Sequence, residues 1–240
     1  MGNNSDNHVF RIILILFLTL LPAVKMFPHR DDFLDETVVY LTLAQQELEL
    51  EYWFDYGSLT GAGFIRHNFA SEYGITNRWM IDGRVTFNSP VISGFNFQSG
   101  RFETRYRFYD EGTLPVDIAL SAEINSEKTV TGERETGIEG RFILSHDYAE
   151  KINLTLNISE EFTLDSGHGA LFPSFGFRYD SNDLLRFGSE IKYNTYERSG
   201  SVIPQVWLTF GESVTLKFGY SEGFGNKKEN FGRVAIEAEI

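Results

Sequence analysis

Residues 47–57, ELELEYWFDYG, alternate charged and apolar side chains in a way that few folds can accommodate. Three glutamates at every second position alternate with two leucines and a tyrosine, and Asp55 then alternates with Phe54 and Tyr56. Successive side chains of a β-strand point to opposite faces, so one face of this strand is anionic and the other is apolar. The two faces must therefore be in contact with two different solvents.

The same pattern recurs through the rest of the chain. Twelve segments of about ten residues alternate in hydrophobicity and are separated by turn residues, which is the sequence pattern of transmembrane β-strands. Tight connections, such as 149–151 and 181–183, alternate with generally longer and more charged ones, notably 126–136 and 222–230. Short periplasmic turns opposite longer external loops are typical of bacterial outer-membrane barrels, and an even strand count returns the C-terminus to the side of the N-terminus.

Sorting the segments by parity separates two kinds of surface. One face carries apolar residues, for example Leu48, Leu50, Val116, Ile118, Leu154, Leu156, Val206, Leu208, Val234 and Ile236. The other carries too many charges to form the dry core of a soluble sandwich. We therefore predict an all-β fold, a transmembrane antiparallel up-and-down β-barrel of about 12 strands over residues 47–240. The leucines would face hydrocarbon and the glutamates would face the lumen.

Aromatic residues lie near both ends of the predicted strands. Tyr73, Trp79, Tyr148 and Tyr179 flank short turns, whereas Tyr56, Tyr193 and Tyr220 lie toward the longer loops. Tyrosine and tryptophan are enriched at both interfaces of a membrane, so the set predicts two aromatic girdles.

The N-terminal region predicts export. Arg11 precedes an apolar run, residues 12–21, of about ten residues, which is too short to span a bilayer as a helix but fits the core of a signal peptide. We assign residues 1–26 to a signal peptide, with a buried helix or an uncleaved anchor as the alternatives. Residues 27–46 suit a short helix as well as an extra strand, and we interpret them as a periplasmic tail.

Composition excludes several classes of function. The chain has no cysteine, which excludes disulfides, thiolate nucleophiles and cysteine-based metal sites. A formal net charge of −13 argues against nucleic acid as a partner, because phosphate binding needs a basic surface. Nothing in the sequence indicates a cofactor. The partners we expect are outer-membrane lipid, the barrel-assembly machinery and a small solute.

At this point the chain resembles the outer-membrane β-barrel proteins of Gram-negative bacteria. The resemblance is architectural and covers residues 47–240, and the stretch SEYGITNRWMIDGRV (71–85) is similar to units in the phenol-degradation meta-pathway type of outer-membrane transporter. It implies an outer-membrane location with periplasmic termini and assembly by the barrel machinery. Such barrels usually end in an aromatic residue, whereas this chain ends in Ile240.

The sequence offers no catalytic arrangement that suits a barrel enzyme. The outer-membrane phospholipase type would require a His-x-Ser pair, and neither His67, His146 nor His168 begins one. Ser145, His146 and Asp147 are adjacent in one strand and would point to opposite faces. We therefore expect a protein that is not an enzyme, and a membrane-embedded enzyme stays a remote alternative.

The candidate functional residues are charged side chains predicted to line the lumen. They are Glu47, Glu49, Glu51, Asp55, Arg84, Arg101, Arg105, Arg107, Glu123, Glu190, Lys192, Lys217, Glu237 and Glu239. Acidic and basic walls that face each other across a lumen would orient and filter polar solutes. The same ion pairs could instead rigidify and close the barrel.

We therefore expect a small pore or transporter for small polar or amphipathic solutes, with Trp53 and Trp207 on or near the inner face. The alternative is a closed structural or adhesion-type barrel. The longest connection expected from the sequence, 126–136, is too short to form a large plug. Any blockage would then come from wall side chains or from the N-terminal tail.

Overall fold

The computed structural model describes residues 32–35, 37–59, 61–89, 96–129, 132–149, 151–211 and 213–240. The predicted signal peptide and the start of the predicted tail lie outside these residues. The described residues form twelve strands: β1 (Leu48–Leu59), β2 (Ala62–Thr76), β3 (Trp79–Ser89), β4 (Asn96–Arg107), β5 (Asp117–Lys128), β6 (Arg134–Tyr148), β7 (Ile152–Thr163), β8 (His168–Asp180), β9 (Leu185–Asn194), β10 (Ser199–Phe210), β11 (Val214–Gly225) and β12 (Glu229–Glu239).

The twelve strands close into an antiparallel barrel, which confirms the predicted fold. Each strand pairs with its neighbours in sequence, and β12 pairs with β1 across the closing seam. At the seam Glu51 lies opposite Glu237 and Asp55 lies opposite Arg233. The part of the chain that the structure describes contains no helix long and apolar enough to cross a bilayer.

The outer surface of the barrel is apolar and the inner surface is polar, as the parity of each strand predicts. Outward side chains such as Leu120, Ile124, Ile191 and Val234 are 44–50% exposed. Charged and polar side chains on alternate positions of the same strands are buried inside. This inversion of a soluble protein is expected when hydrocarbon surrounds the barrel.

The aromatic residues form the two belts that the sequence predicts. Tyr73, Trp79, Tyr148 and Tyr179 are exposed near one end of the barrel, and Tyr56, Tyr193 and Tyr220 are exposed near the other. We call the first the turn end, where β12 finishes. The second is the loop end, where β1 runs into β2.

The lengths of the connections do not distinguish the two ends, contrary to our expectation. Most of the predicted loop 126–136 is paired strand, with Ser126 opposite Thr136 and Lys128 opposite Arg134. The longest connection is 108–116, at the turn end. A backbone ladder can continue beyond the membrane whatever its side chains are, so charged residues do not mark where pairing stops.

The orientation in the membrane therefore stays a prediction. We expect cysteines introduced at Glu133 and Lys228, both exposed at the loop end, to react with an impermeant thiol reagent on intact cells. A cysteine at Asn182, exposed at the turn end, should react only after the outer membrane is permeabilised. The native chain has no cysteine, so the unsubstituted protein is the negative control for labelling. The reverse labelling pattern would invert the orientation.

Residues 32–35 and 37–46 differ most from our interpretation. They form neither a helix nor a strand, and they lie within the barrel instead of extending from it as a periplasmic tail. Phe33, Leu34, Val39, Tyr40 and Leu43 are at most 5% exposed, although a tail in water would leave them exposed. We call residues 32–35 and 37–46 the lumen segment. Its apolar side chains explain why it enters, since they leave water and pack against the few apolar residues of the inner wall, such as Trp53 and Trp207.

Candidate functional site

The lumen segment folds as a compact loop. The backbone N–H of Phe33 donates to the carbonyl oxygen of Thr37 at 3.0 Å, which turns the chain back on itself. The N–H of Val39 donates to Asp32 Oδ1 at 2.6 Å and closes the base of the loop. The segment returns to the turn end, where the N–H of Gln46 donates to the carbonyl of Gly74 at 2.8 Å.

Side chains of the barrel wall, from several strands, form hydrogen bonds with the backbone of the lumen segment. The N–H groups of Leu34, Asp35, Thr37 and Val38 donate to Gln205, Glu190 and Asn157 over 2.8–3.1 Å. Asn157 also donates to the carbonyl of Val38 at 3.0 Å. A buried irregular backbone needs such partners, because each unsatisfied group costs on the order of 1–3 kcal/mol. The wall therefore replaces the water that the loop has lost.

Ion pairs anchor the loop at two levels. Asp32 accepts hydrogen bonds from Arg105 at 2.7 and 3.2 Å, and Lys217 donates to its carbonyl oxygen at 2.7 Å. Asp35 pairs with Lys192 and lies 3.3 Å from Arg233. Burial alone would raise the pKa of the Asp35 carboxyl, but Lys192 and Arg233 outweigh it and hold this pKa well below its ordinary value. Asp35 therefore stays ionised through neutral and mildly acidic pH, and its ion pairs persist there.

Apolar contacts complete the fit of the loop. The ring of Phe33 meets Trp207 edge to face with centroids 5.9 Å apart, and Leu34 packs in a cluster with Trp53. Two inward glycines make room for these side chains. A Cβ at Gly176 would lie 2.5 Å from the Phe33 ring, and one at Gly219 would lie 2.6 Å from Leu34. The wall is thus shaped around the loop.

Between the lumen segment and the loop end, the lumen opens as a chamber of about 440 Å³, which is the size of a pocket for a small molecule. Asp35 contributes to its floor, and its walls reach residues near the loop end. Its charged lining carries both signs: Arg66, Arg101, Arg141, Lys192, Lys227 and Arg233 with Glu123, Glu127, Glu139, Glu161, Glu197 and Glu229. Aromatic side chains of Trp53, Phe172, Tyr193 and Phe231 lie among them.

A row of carboxylates crosses the inner wall. It comprises residues that lie directly opposite one another on eight adjacent strands: Glu239, Glu49, Glu72, Asp82, Glu103, Glu123, Glu139 and Glu161. Because the strands tilt, this acidic ladder begins at the turn end of β12 and rises almost to the loop end of β7. Like charges in directly opposed positions destabilise a sheet, so a row of this length needs compensation or a role.

Arginines compensate the middle and upper part of the acidic ladder. Glu103 lies 3.4 Å from both Arg105 and Arg141, and Glu123 lies 3.6 Å from Arg101. Toward the turn end, further carboxylates come together. Carboxylate oxygens of Glu49, Glu51 and Glu237 lie within 4.8 Å of one another.

The structure places the sequence-predicted residues in three groups. Those at the closing seam and turn end are Glu47, Glu49, Glu51, Asp55, Glu237 and Glu239, with Arg84 3.7 Å from Glu51. Those that hold the lumen segment are Arg105, Glu190, Lys192 and Lys217. Arg101 and Glu123 line the chamber, as Lys192 also does, and Arg107 instead donates to the carbonyl of Asn77 in a turn.

Several important residues were not among the candidates. Arg66, Arg141 and Arg233 line the chamber. Five members of the acidic ladder were also missing: Glu72, Asp82, Glu103, Glu139 and Glu161. Their parity in each strand was a usable signal. Strand register was not, because it depends on how neighbouring strands align.

Comparisons with known proteins agree with the fold. No family model matches the chain. The KdgM porin superposes with a TM-score of 0.62 at 8% identity, covering 79% of this chain and 98% of that one. The NanC porin gives 0.62 at 12% identity over 79% and 98%, and an outer-membrane channel from Pseudomonas putida F1 gives 0.57 at 10% identity over 83% and 97%.

One relative found by sequence is a different kind of protein from these porins and this channel. Probable polyketide synthase 27 of Dictyostelium discoideum is 26% identical over 161 residues, which cover 64% of this chain but 6% of that protein. The chain thus spans a small fraction of that relative, whereas it covers nearly the whole length of the porins and the channel. The chain has the fold of the bacterial outer-membrane β-barrel channels.

Proposed function

We propose that this protein is an outer-membrane channel for small polar solutes and that the lumen segment closes it. The observation that carries the proposal is the division of the lumen. The polar chamber lies toward the loop end, and the lumen segment lies between this chamber and the turn end. The chamber gives a solute a place to enter, and the loop stands between it and the turn end. The acidic ladder continues past the loop and supplies a charged wall on the far side.

A permanently closed structural barrel is the competing function. Such a barrel can fill its interior with large side chains, as small barrels do. This wall instead keeps glycines at two inward positions, Gly176 and Gly219, where Phe33 and Leu34 of a separate loop fit. A lumen filled by a segment from outside the strands can be emptied without unfolding a strand. This favours a closed channel over a solid barrel.

The chamber lining favours charged or zwitterionic solutes over hydrocarbons. Carboxylates and cationic side chains both line it, and each can pair with an opposite charge on a solute. Among the structural neighbours, one KdgM porin structure contains oligogalacturonate, and a neighbour from Ralstonia pickettii is named a toluene transporter. The polarity of this chamber suits the first kind of solute better than the second.

The apolar belt and its aromatic borders support an outer-membrane position in contact with lipid. We further propose that both termini face the periplasm and that the barrel-assembly machinery inserts the chain. The closing pair of strands fits this route, since Ile240 and Leu48 exchange backbone hydrogen bonds at 2.8 and 3.3 Å.

Ion selectivity tests the proposed role of the acidic ladder. In protein that lacks residues 32–43, we expect the reversal potential in a KCl gradient to show a cation preference, because carboxylates line the opened wall. Replacing Glu49, Glu51 and Glu237 with Gln should move the permeability ratio toward one. Glu160 points outward from β7, so Glu160→Gln is a matched control that should leave the ratio unchanged. An anion preference in the parent protein would contradict the proposal.

A further inference from the structure

The turn end of the closing seam concentrates carboxylates from three adjacent strands. Glu49 and Glu51 come from β1, Glu237 comes from β12, and Glu72 comes from β2 directly opposite Glu49. All four are at most 6% exposed. Carboxylate oxygens from the first three lie within 4.8 Å of one another, which is close enough to share one metal ion.

Some of this charge already has partners in the wall. Lys217 pairs with Glu237, and Arg84 lies 3.7 Å from Glu51. The Arg84 contact is long for a charge-assisted hydrogen bond, and Glu51 Oε2 has no hydrogen-bond partner although it is buried. A bound cation would satisfy this buried oxygen of Glu51.

Glu72 is the second and independent sign of a ligand. Its side chain is 4% exposed, and within the described residues it makes no hydrogen bond and no ion pair. The charges that act on it most strongly are the carboxylates of Glu51 and Asp82. Burying a carboxylate among like charges is costly unless a cation or proton compensates it. Glu72 is thus a buried acid without a hydrogen bond or an ion pair among the described residues, and it lies directly opposite Glu49 of the cluster. The cation that acts on it most is Arg105, whose effect is smaller than that of the neighbouring carboxylates.

We propose that Glu49, Glu51 and Glu237, with Glu72 beside them, bind a calcium ion. Calcium accepts six to eight oxygen ligands from mono- or bidentate carboxylates in flexible geometry, whereas magnesium demands a near-ideal octahedron. Four flexible glutamates can supply that many oxygens with few waters. They project from three strands of a curved wall, which does not impose octahedral symmetry.

The ion joins the two ends of the barrel sheet. The ligands span β12, β1 and β2, so calcium connects the first and last strands across the closing seam. It also lies next to Lys217, which contacts both Glu237 and the backbone of Asp32. The ion reaches the site from the turn end of the barrel. Glu47, two residues before Glu49, is half-buried there at the rim.

Terbium and calcium titrations of the full-length protein, refolded in detergent and stripped with a chelator, test the site. Trp53 lies on the same face of β1 as Glu51 at about 7 Å along the strand, so it should sensitise terbium luminescence that calcium displaces. Calcium at about 100 times its Kd should raise the midpoint of thermal unfolding by about 5–10 °C. Magnesium at the same concentration should give a much smaller shift.

The variants separate a specific site from general charge screening. Glu51→Gln with Glu237→Gln should abolish the luminescence and the calcium shift. Glu161→Gln removes a carboxylate from the far end of the acidic ladder and should keep both responses. Luminescence that survives the double substitution, or is lost equally in the control, would overturn the site.

Glu72→Gln provides a test if the double variant fails to fold. It removes one like charge, so the midpoint of the calcium-free protein should rise. It also removes a ligand, so the calcium shift should shrink. These two changes have opposite signs, and a purely structural glutamate would not produce both. A lower midpoint in the calcium-free variant, with an unchanged calcium shift, would contradict the proposal.

Discussion

Deletion of residues 32–43 should convert a silent barrel into a conducting one. The deletion removes the part of the lumen segment that contacts Arg105, Lys192, Gln205 and Trp207 and leaves residues 44–46 at the rim. In planar bilayers we expect the full-length protein to stay closed for most of the recording. The open probability should rise at least about 100-fold in the deletion, because removing two charge-assisted hydrogen bonds already costs the closed state roughly 3 kcal/mol or more.

A single substitution distinguishes displacement of the loop from a change in the N-terminus. A leucine at Gly176 would occupy the place of the Phe33 ring, since even a Cβ there lies 2.5 Å from it. Gly176→Leu should therefore open the pore in the full-length chain. Gly140→Leu is the matched control, because Gly140 faces outward on β6 and a Cβ there contacts nothing within 4 Å. Silence in both the deletion and Gly176→Leu would establish the closed structural barrel instead.

The architecture could be predicted because a β-strand has a fixed side-chain period. In β1, alternation alone predicts that the leucines face lipid and the glutamates face the lumen, and no knowledge of the neighbouring strands is needed. The strand count then follows from turn residues. The ends of strands are harder to place, because pairing such as Ser126 with Thr136 extends through charged sequence that resembles a loop.

The contents of the lumen could be predicted only in part. The opposition of Glu72 to Glu49 and to Asp82 depends on the register of three strands, and no single strand encodes it. The position of the lumen segment depends on shape complementarity between Phe33 and a glycine more than 140 residues later. The usable sequence signals were indirect. Inward positions held by glycine in otherwise charged faces indicate that another part of the chain approaches there.

Substitution of Asp55 by Ala should destabilise the barrel more than any other single carboxylate removal proposed for this chain. Asp55 is fully buried in the closing seam, opposite Arg233 on β12 and Arg66 on β2. It accepts hydrogen bonds from Arg233 at 2.6 and 2.8 Å and lies 3.2 Å from Arg66. Removing one partner of a buried ion pair costs about 3–5 kcal/mol, because the remaining charge is left buried. The urea midpoint of the refolded protein in micelles, followed by tryptophan fluorescence, should fall accordingly.

The exposed pair between Asp110 and Arg78 provides the control for this loss. Its hydrogen bond of 2.7 Å is as short as those of Asp55, and Arg78 lowers the pKa of the Asp110 carboxyl. Both side chains are exposed in turns, however, where water competes for the same contacts. Asp110→Ala should therefore leave the urea midpoint almost unchanged. Adding Arg233→Met to Asp55→Ala should recover part of the loss, because an apolar pair leaves less charge unpaired. If Asp55→Ala and Asp110→Ala shifted the midpoint equally, the buried charges would not hold the seam, and backbone pairing alone would close this barrel.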